Sequence, residues 1–355
     1  MTGETAGVPE HPALTPLAAG PETLWISALL DGARAGRTSA AGASEVDLAE
    51  ATVIEVGPGD DAAVLKIPPE SRLVISSDAS VEGIHFRRAW MTWETIGYRA
   101  AASALSDLAA MAAAPLGLTM SVALPPELDA GAASAIGRGV GEALATTGGE
   151  VLGGDLVASP GPVMLDITVL GHSPAPITRN GARADDELWV TGSLGGAAAA
   201  VADLQAGLEP LPEARQAFER PRPRVVEALW IADSVRPTSM IDLSDGLGRD
   251  ARHLAAASGV RIDVQLERVP AHPAVEPYVD SEVGPRLLLG GGEDYELLFT
   301  AAPGTVDPHR QGFEIRFGLD LTRLGIVSEG RGLHLSHPGN TDPPDGFDHF
   351  GNVGP

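Results

Sequence analysis

From residue 52 onward the chain breaks into short apolar runs separated by Gly, Pro and Asp. Residues 52–56, 62–67 and 73–76 are β-branched or aliphatic and predict strands. Residues 92–113 are Ala-rich, with Gly97 the lone glycine and no proline, which predicts a helix. A strand at 116–124, a helix at 128–146 and a strand at 163–171 follow, and Pro174 and Pro176 then break the pattern. Beyond them the periodicity predicts a strand at 187–191, a helix near 194–206, a Pro-rich surface loop at 210–223 and a helix at 224–234. A strand at 239–243, a helix at 246–257 and strands at 260–266, 295–300 and 321–327 complete the pattern. Ahead of it, residues 1–20 lack periodicity, 21–30 predict a short helix, and the Gly/Ala/Ser stretch at 35–44 predicts a mobile segment. Some strands are consecutive although helices and strands alternate elsewhere. The expected class is therefore α+β (mixed α/β), in layers rather than a doubly wound sheet. The expected divisions are a flexible tail plus short helix at 1–45, a first domain at 46–173 and a second at 174–355.

Composition narrows the field. A chain of 355 residues suits two domains, and 44% hydrophobic residues supply their cores. With aromatics at 4%, those cores must be packed with Ala, Val, Leu and Ile. A formal net charge of -24 argues against nucleic acid or an anionic membrane as partner. The absence of cysteine excludes disulfides, thiolate metal sites and Cys nucleophiles. No basic segment precedes an apolar core at the N-terminus, and Asp107, Pro115 and Pro125 interrupt the long apolar stretches. A cytoplasmic protein without a membrane span is expected. Lys66 is the single lysine, so there is no Gly-Lys-Ser/Thr phosphate loop, and no His-Arg-Asp or Asp-Phe-Gly partner follows the strand that carries it.

The polar interruptions carry the chemistry. Acids stand at the ends or breaks of apolar runs at Asp60-Asp61, Ser76-Ser77-Asp78, Ser106-Asp107, Gly153-Gly154-Asp155 and Asp242-Leu243-Ser244-Asp245. With 48 Asp and Glu in the chain, a solvated surface group is the plain reading of each one. Asp60 and Asp61 suit an ordinary turn, and Asp245 with Gly246 suits a helix cap or an anion site. Asp107 departs furthest from the plain reading, because a carboxylate among Leu105, Leu108, Ala109 and Met111 costs several kcal/mol unless paired or bound to metal. Carboxylates gathered at strand ends repel one another unless cations lie between them. Mg²⁺ answers that need and carries phosphates. Glycines at 153–154 and 290–292 let backbone approach a ligand closely. Arg179 suits phosphate by its forked geometry, and His85 can reach an anion, although a surface Arg and a structural His are the plainer readings.

In order along the chain stand GDDAAV (59–64), SSDASVEGIHF (76–86), LSDLAAM (105–111), GGD (153–155), TRNGA (178–182), IDLSDGL (241–247), GGEDYELLFT (291–300) and GFDHF (346–350). Each is modest alone, but together they resemble the thiamine-monophosphate kinase family of the aminoimidazole-ribonucleotide-synthetase-like (PurM-like) superfamily. The resemblance implies a two-domain PurM-like fold, with an N-terminal domain giving strands to a dimeric β-barrel and a C-terminal α+β sandwich. It implies transfer of the ATP γ-phosphoryl to thiamine monophosphate by a homodimer. By motif match, Asp61, Ser76, Ser77, Asp78, Asp107, Asp155, Asp242 and Asp245 hold several Mg²⁺ ions. Gly154, Asp155, Arg179 and Ser244 meet ATP as co-substrate, and His85, Glu293 and Phe347 meet thiamine monophosphate. The family pattern is departed from at Ala79, Ala104 and Ala112, and at Leu156-Val157 after the GGD. Alternatives are another PurM-like ATP-dependent synthetase of the aminoimidazole ribonucleotide type, a metal-dependent phosphatase using the same acids, and a non-catalytic nucleotide-binding subunit.

Overall fold

The first helix, α1 (Pro21–Ala40), runs through much of the stretch expected to be mobile. Its glycines are contact points rather than breaks. They face α3 (Ala130–Thr147), where a Cβ on Gly36 would lie 2.0 Å from the Arg138 carbonyl oxygen. Reciprocally, a Cβ on Gly137 would lie 2.0 Å from that of Leu29. Close backbone packing thus sustains a helix that propensity alone would not. The computed structural model describes residues 20–40, 53–278, 281 and 283–336. Phe347, most of the expected N-terminal tail and residues 41–44 of the expected mobile segment lie outside the described residues.

Strands β1 (Val53–Val56) and β2 (Val64–Lys66) form a separate antiparallel pair around the Gly-Asp-Asp turn. The first large sheet has β3 (Arg72–Val81), β4 (Ala114–Leu124), β5 (Glu150–Ala158) and β6 (Met164–Ser173) in the order β3-β6-β4-β5. Two of these strands depart from expectation. β3 does not stop at Ser76 but stays paired with β6 from Arg72↔Ser173 to Val81↔Met164, so Ser76, Ser77 and Asp78 sit mid-strand. β5 was hidden because Gly153 and Gly154 interrupt its apolar pattern.

Helices α2 (Trp93–Ala110) and α3 pack on the sheet, and α1 lies on α3. Alanine allows that close approach, as Ala101, Ala102 and Ala104 of α2 are fully buried. The opposite sheet face exposes Leu73, Ile75, Val157 and Met164. Helix α2 ends beyond Ala110 with Ala112 at a φ of 48°, left-handed backbone that favours the glycine of the family pattern. The Ala113 N–H donating to the Leu108 carbonyl closes that turn.

The second half is built on a six-stranded sheet of β7 (Glu187–Thr191), β8 (Ser239–Asp242), β9 (Arg261–Gln265), β10 (Leu297–Ala301), β11 (Leu321–Ser328) and β12 (Gly332–Ser336), in the order β12-β9-β11-β7-β10-β8. Alternation along its strands feeds two apolar layers. Leu188, Val190 and Leu298 join the layer with α7 (Leu247–Ser258), whereas Trp189, Leu297 and Phe299 join the layer with α6 (Val225–Ser234). Two further helices, α4 (Gly196–Gln205) and α5 (Pro212–Glu219), pair with each other. α5 replaces part of the expected Pro-rich loop, since Pro212 starts the helix and Phe218 anchors it in the core. The short α8 (Gly284–Gly290) and α9 (Arg310–Phe317) complete an α+β, two-domain PurM-like fold. Among the described residues no helix is long and apolar enough to cross a membrane.

Candidate active site

Helix α2 is the wall shared by the two halves. It lies against β3 and β6 on one side and reaches α6 and β8 on the other. Its consecutive residues Ser106 and Asp107 each bond to a different half. The Ser106 hydroxyl, fully buried, donates to Asp242 at the end of β8 over 2.7 Å. The Ser76 hydroxyl on β3 donates to Asp107 over 2.5 Å. Two Ser–Asp bonds therefore bring the acids of three distant segments to the floor of one cleft of about 410 Å³.

The electrostatics follow from that burial. Desolvation raises the Asp107 pKa, and the Asp78 charge adds to it against the Ser76 hydrogen bond and the Arg179 charge. Asp242 is pushed up to about 6 by burial and by Asp107, with Ser106 and Arg179 opposing. Asp250, which the sequence reading passed over, is pushed up to about 8 by burial and by the charges of Asp242 and Asp245. Its Oδ2 accepts from the N–H groups of Asp245 and Gly246, both at 3.1 Å, and so holds the entry of α7. An acid in the first turn of a helix was the available signal for it.

The cleft draws in Asp78, His85, Asp107, Asp242, Ser244, Asp245 and Glu293. Ser76 joins them through Asp107. The His85 Nδ1 accepts from the Val81 N–H at 3.0 Å, which leaves the ring proton on Nε2. Glu293 sits at a φ of 61° and its N–H donates to the Ser244 carbonyl at 2.8 Å. Tyr295 to Leu243 and Leu243 to Glu296 continue these backbone bonds, so the GGEDYE segment is zipped to the IDLSD segment. Behind it, Arg224 grips Glu296 with bonds of 2.6 and 3.0 Å. Ile84, Phe86, Trp90 and Phe218 supply an apolar wall suited to a ring.

Other expected residues lie apart. Alternation along β3 turns the Ser77 hydroxyl to the opposite sheet face, where it donates to Asp166 over 2.6 Å. Ser77 borders the cleft, but its hydroxyl is spent elsewhere. Asp61 is in an exposed turn whose N–H bonds the Asp60 carboxylate. Gly154 and Asp155 are on β5, at the sheet edge opposite β3, and Asp155 accepts from the Leu156 N–H. Arg179 does not line the cleft, although its charge is felt by Asp107 and Asp242. Among the described residues no three His, Asp or Glu side chains are close enough together to hold a metal ion. The charge of Asp78 acts on Asp107 and that of Asp107 on Asp242, and the donor set is all oxygen, which suits a hard cation.

The raised acids predict a pH dependence of stability. An Asp whose folded pKa exceeds its unfolded value destabilises the fold once ionised. The penalty is absent below the unfolded value, grows as pH rises and is complete above the folded one. For Asp242 that window runs from 3.8 to about 6, and for Asp250 from 3.8 to about 8. In metal-free buffer the Tm should fall by roughly 5–10 °C between pH 5 and pH 8, as read by differential scanning fluorimetry with a chelator. A flat or rising Tm would show that these carboxylates are not strained by burial.

Residues 59–173 match the family of AIR synthase related proteins, N-terminal domain, and residues 183–339 match its C-terminal domain. A thiamine-monophosphate kinase of Caulobacter vibrioides is 34% identical over 292 residues, covering 80% of this chain and 82% of that protein. The crystal structure of thiamine-monophosphate kinase from Stenotrophomonas maltophilia is 31% identical with a TM-score of 0.74, covering 87% of this chain and 96% of that chain. The structure of AaThiL complexed with AMPPCP and TMP is 30% identical with a TM-score of 0.71, covering 82% of this chain and 91% of that chain. Motif order, cleft chemistry and likeness over most of the length lead to one placement: this chain belongs to the thiamine-monophosphate kinase family.

Proposed function

We propose that this chain transfers the γ-phosphoryl group of ATP to the phosphate of thiamine monophosphate, giving ADP and thiamine diphosphate. The observation that carries the reading is the pair of buried, Ser-anchored carboxylates, Asp107 and Asp242, on the floor of a cleft with one apolar wall. The relative complexed with AMPPCP and TMP supports both substrates.

Asp78, Asp107, Asp242 and Asp245 are the residues that would hold Mg²⁺, with Ser76 as orienting partner of Asp107. Mg²⁺ held by these carboxylates would supply neutralisation of phosphate charge for an in-line displacement. The chain does the rest by placement. The acceptor is a phosphate, already ionised at neutral pH, so no general base is needed. His85 on the cleft wall faces the anionic substrate, Ser244 and the N-terminus of α7 face the nucleotide, and Arg179, whose charge reaches Asp107 and Asp242 from outside the cleft lining, brings the cation that the lone lysine cannot. The apolar wall excludes water and receives the thiamine rings. A kinase works where ATP is, so we place the protein in the cytoplasm, with the halves dividing near residue 173.

Gly154 and Asp155 give a reason for a homodimer. β3 and β5 are the two free edges of one four-stranded sheet, and the face without helices exposes apolar side chains. Two such sheets closed into an eight-stranded barrel lose both edges and bury those faces. Closure sets β5 of one protomer beside the partner's β3, so that Asp155 of the partner subunit comes to the strand that carries Ser77 and Asp78.

The test is ADP release with ATP, Mg²⁺ and thiamine monophosphate, with thiamine diphosphate identified by chromatography. Turnover should require all three. Phosphate release without ATP would instead identify a phosphatase, and absence of any turnover would leave a binding protein.

A further inference from the structure

Helix α2 buries a cation beside the cleft for which the reaction above has no use. Arg99 stands seven residues before Ser106, two turns along the same helix, and is only 7% exposed. Its guanidinium lies over the Phe218 ring, 4.1 Å from the centroid, and its Nη1 donates to the Phe218 carbonyl. Its Nη2 donates to Glu293 Oε1 over 2.6 Å. Ring and carbonyl fix the planar fork, so the direction of the N–H that meets Glu293 is set in advance.

Glu293 is held from its other end as well, by its left-handed backbone and its N–H bond to Ser244. A carboxylate tied at both ends has few rotamers left, and its second oxygen remains for a ligand. Charge matters equally. The cleft already holds Asp78, Asp107, Asp242 and Asp245 and must admit a phosphate ester. An uncompensated Glu293 would add one more repulsive charge, whereas paired with Arg99 it offers a hydrogen-bond acceptor with its charge offset. The contact also crosses the molecule, because Arg99 belongs to the first half while Phe218 and Glu293 belong to the second. Beneath it lies a chamber of about 30 Å³, bordered by Asp78, His85, Arg99 and Glu293, with room for a water or two.

We infer that Arg99 is the positioning residue for Glu293. It aims and compensates the carboxylate that meets the thiamine end of the substrate, and it locks that wall of the cleft across the two halves. The inference rests on the reading that Glu293 faces thiamine monophosphate.

Steady-state kinetics of the wild type, Arg99→Met, Arg99→Lys, Glu293→Gln and the Arg99→Met/Glu293→Gln double variant test it. Arg99→Met should raise KM for thiamine monophosphate roughly ten-fold while KM for ATP stays within about two-fold. Arg99→Lys should recover part of the loss. The double variant should be no worse than the poorer single one, because both changes break the same contact. If Arg99→Met fails to fold by its Tm, Arg99→Lys carries the test, since it keeps the cation and loses the fork. Equal rises in both KM values, or multiplying effects in the double variant, overturn the inference. An inactive wild type overturns the kinase reading and this inference with it, whereas an active wild type with no KM split overturns this inference alone.

Discussion

Replacing Asp107 by Asn removes turnover and leaves the metal-free protein at least as stable as the wild type. The two effects have one cause. Asp107 is held in a mostly apolar helix, with its pKa raised by burial and by Asp78, so its ionised form is costly in the empty fold. An Asn of the same shape drops the charge and still accepts from the Ser76 hydroxyl. Stability in chelator is therefore kept or gained. Turnover depends on the charge itself, since a neutral amide is a poor ligand for a hard cation and cannot join the other carboxylates in balancing two phosphorylated substrates. A loss of at least roughly 10³-fold in kcat is expected, about 4 kcal/mol of transition-state stabilisation. Two measurements check it. ADP release should fall to background at any Mg²⁺ concentration, and the rise in Tm expected from Mg²⁺ in the wild type should shrink in the variant. Near-normal activity at saturating Mg²⁺ would remove Asp107 from the machinery and with it the reading of the cleft.

What the sequence disclosed of this site, and what it withheld, depends on how local each feature is. The Ala run of α2 and the apolar strands β7, β8 and β10 declare themselves within a window of about a dozen residues, and the structure has them close to their expected places. Asp107 was conspicuous for the same reason, a charge inside an apolar helix. The acids that partner it were visible only as motifs. The bond between Ser106 and Asp242 joins residues 136 apart, and no local pattern announces it. Glycine and proline misled in both directions. They suggested mobility at 35–44, where Gly36 lets two helices touch. They masked β5, which continues through Gly153 and Gly154 at φ of 158° and 154°, backbone that glycine allows, and α5, which Pro212 initiates. Ending β3 at Ser76 had the largest consequence for the site. Once the strand continues, alternation alone sends Ser76 and Asp78 to the cleft and the Ser77 hydroxyl to Asp166. Asp250 and Arg99 were passed over because their importance lies in what they hold, Asp245 in one case and Glu293 in the other, and neither contact belongs to a recognisable motif.

Mixed dimers should recover activity that neither parent has. Asp155→Asn and Asp107→Asn homodimers are each expected to be inactive, the first because every site lacks its β5 carboxylate and the second because every site lacks its α2 carboxylate. Within a single chain β3 and β5 are the outer strands of a four-stranded sheet, three interstrand spacings or about 14 Å apart. Asp78 and Asp155 of the same chain are therefore poorly placed to share an ion. If the barrel closes as proposed, each site takes Asp107 from one protomer and Asp155 from the other. A dimer with one chain of each variant then concentrates both defects in one site and leaves the second intact. Co-expression with two affinity tags and tandem purification isolates such dimers, and they should show about half the wild-type turnover per dimer, since one of the two symmetric sites survives. Sites contained within single chains give the opposite result, because each site of the mixed dimer then carries one defect and activity stays at background. The outcome also judges the exposed apolar face. Recovery requires two chains in register across Leu73, Ile75, Val157 and Met164, and a charge placed there, such as Ile75→Asp, should abolish complementation along with the dimer. Turnover by a strictly monomeric Ile75→Asp variant at the wild-type rate would return Asp155 to the surface and confine the chemistry to Asp78, Asp107, Asp242 and Asp245.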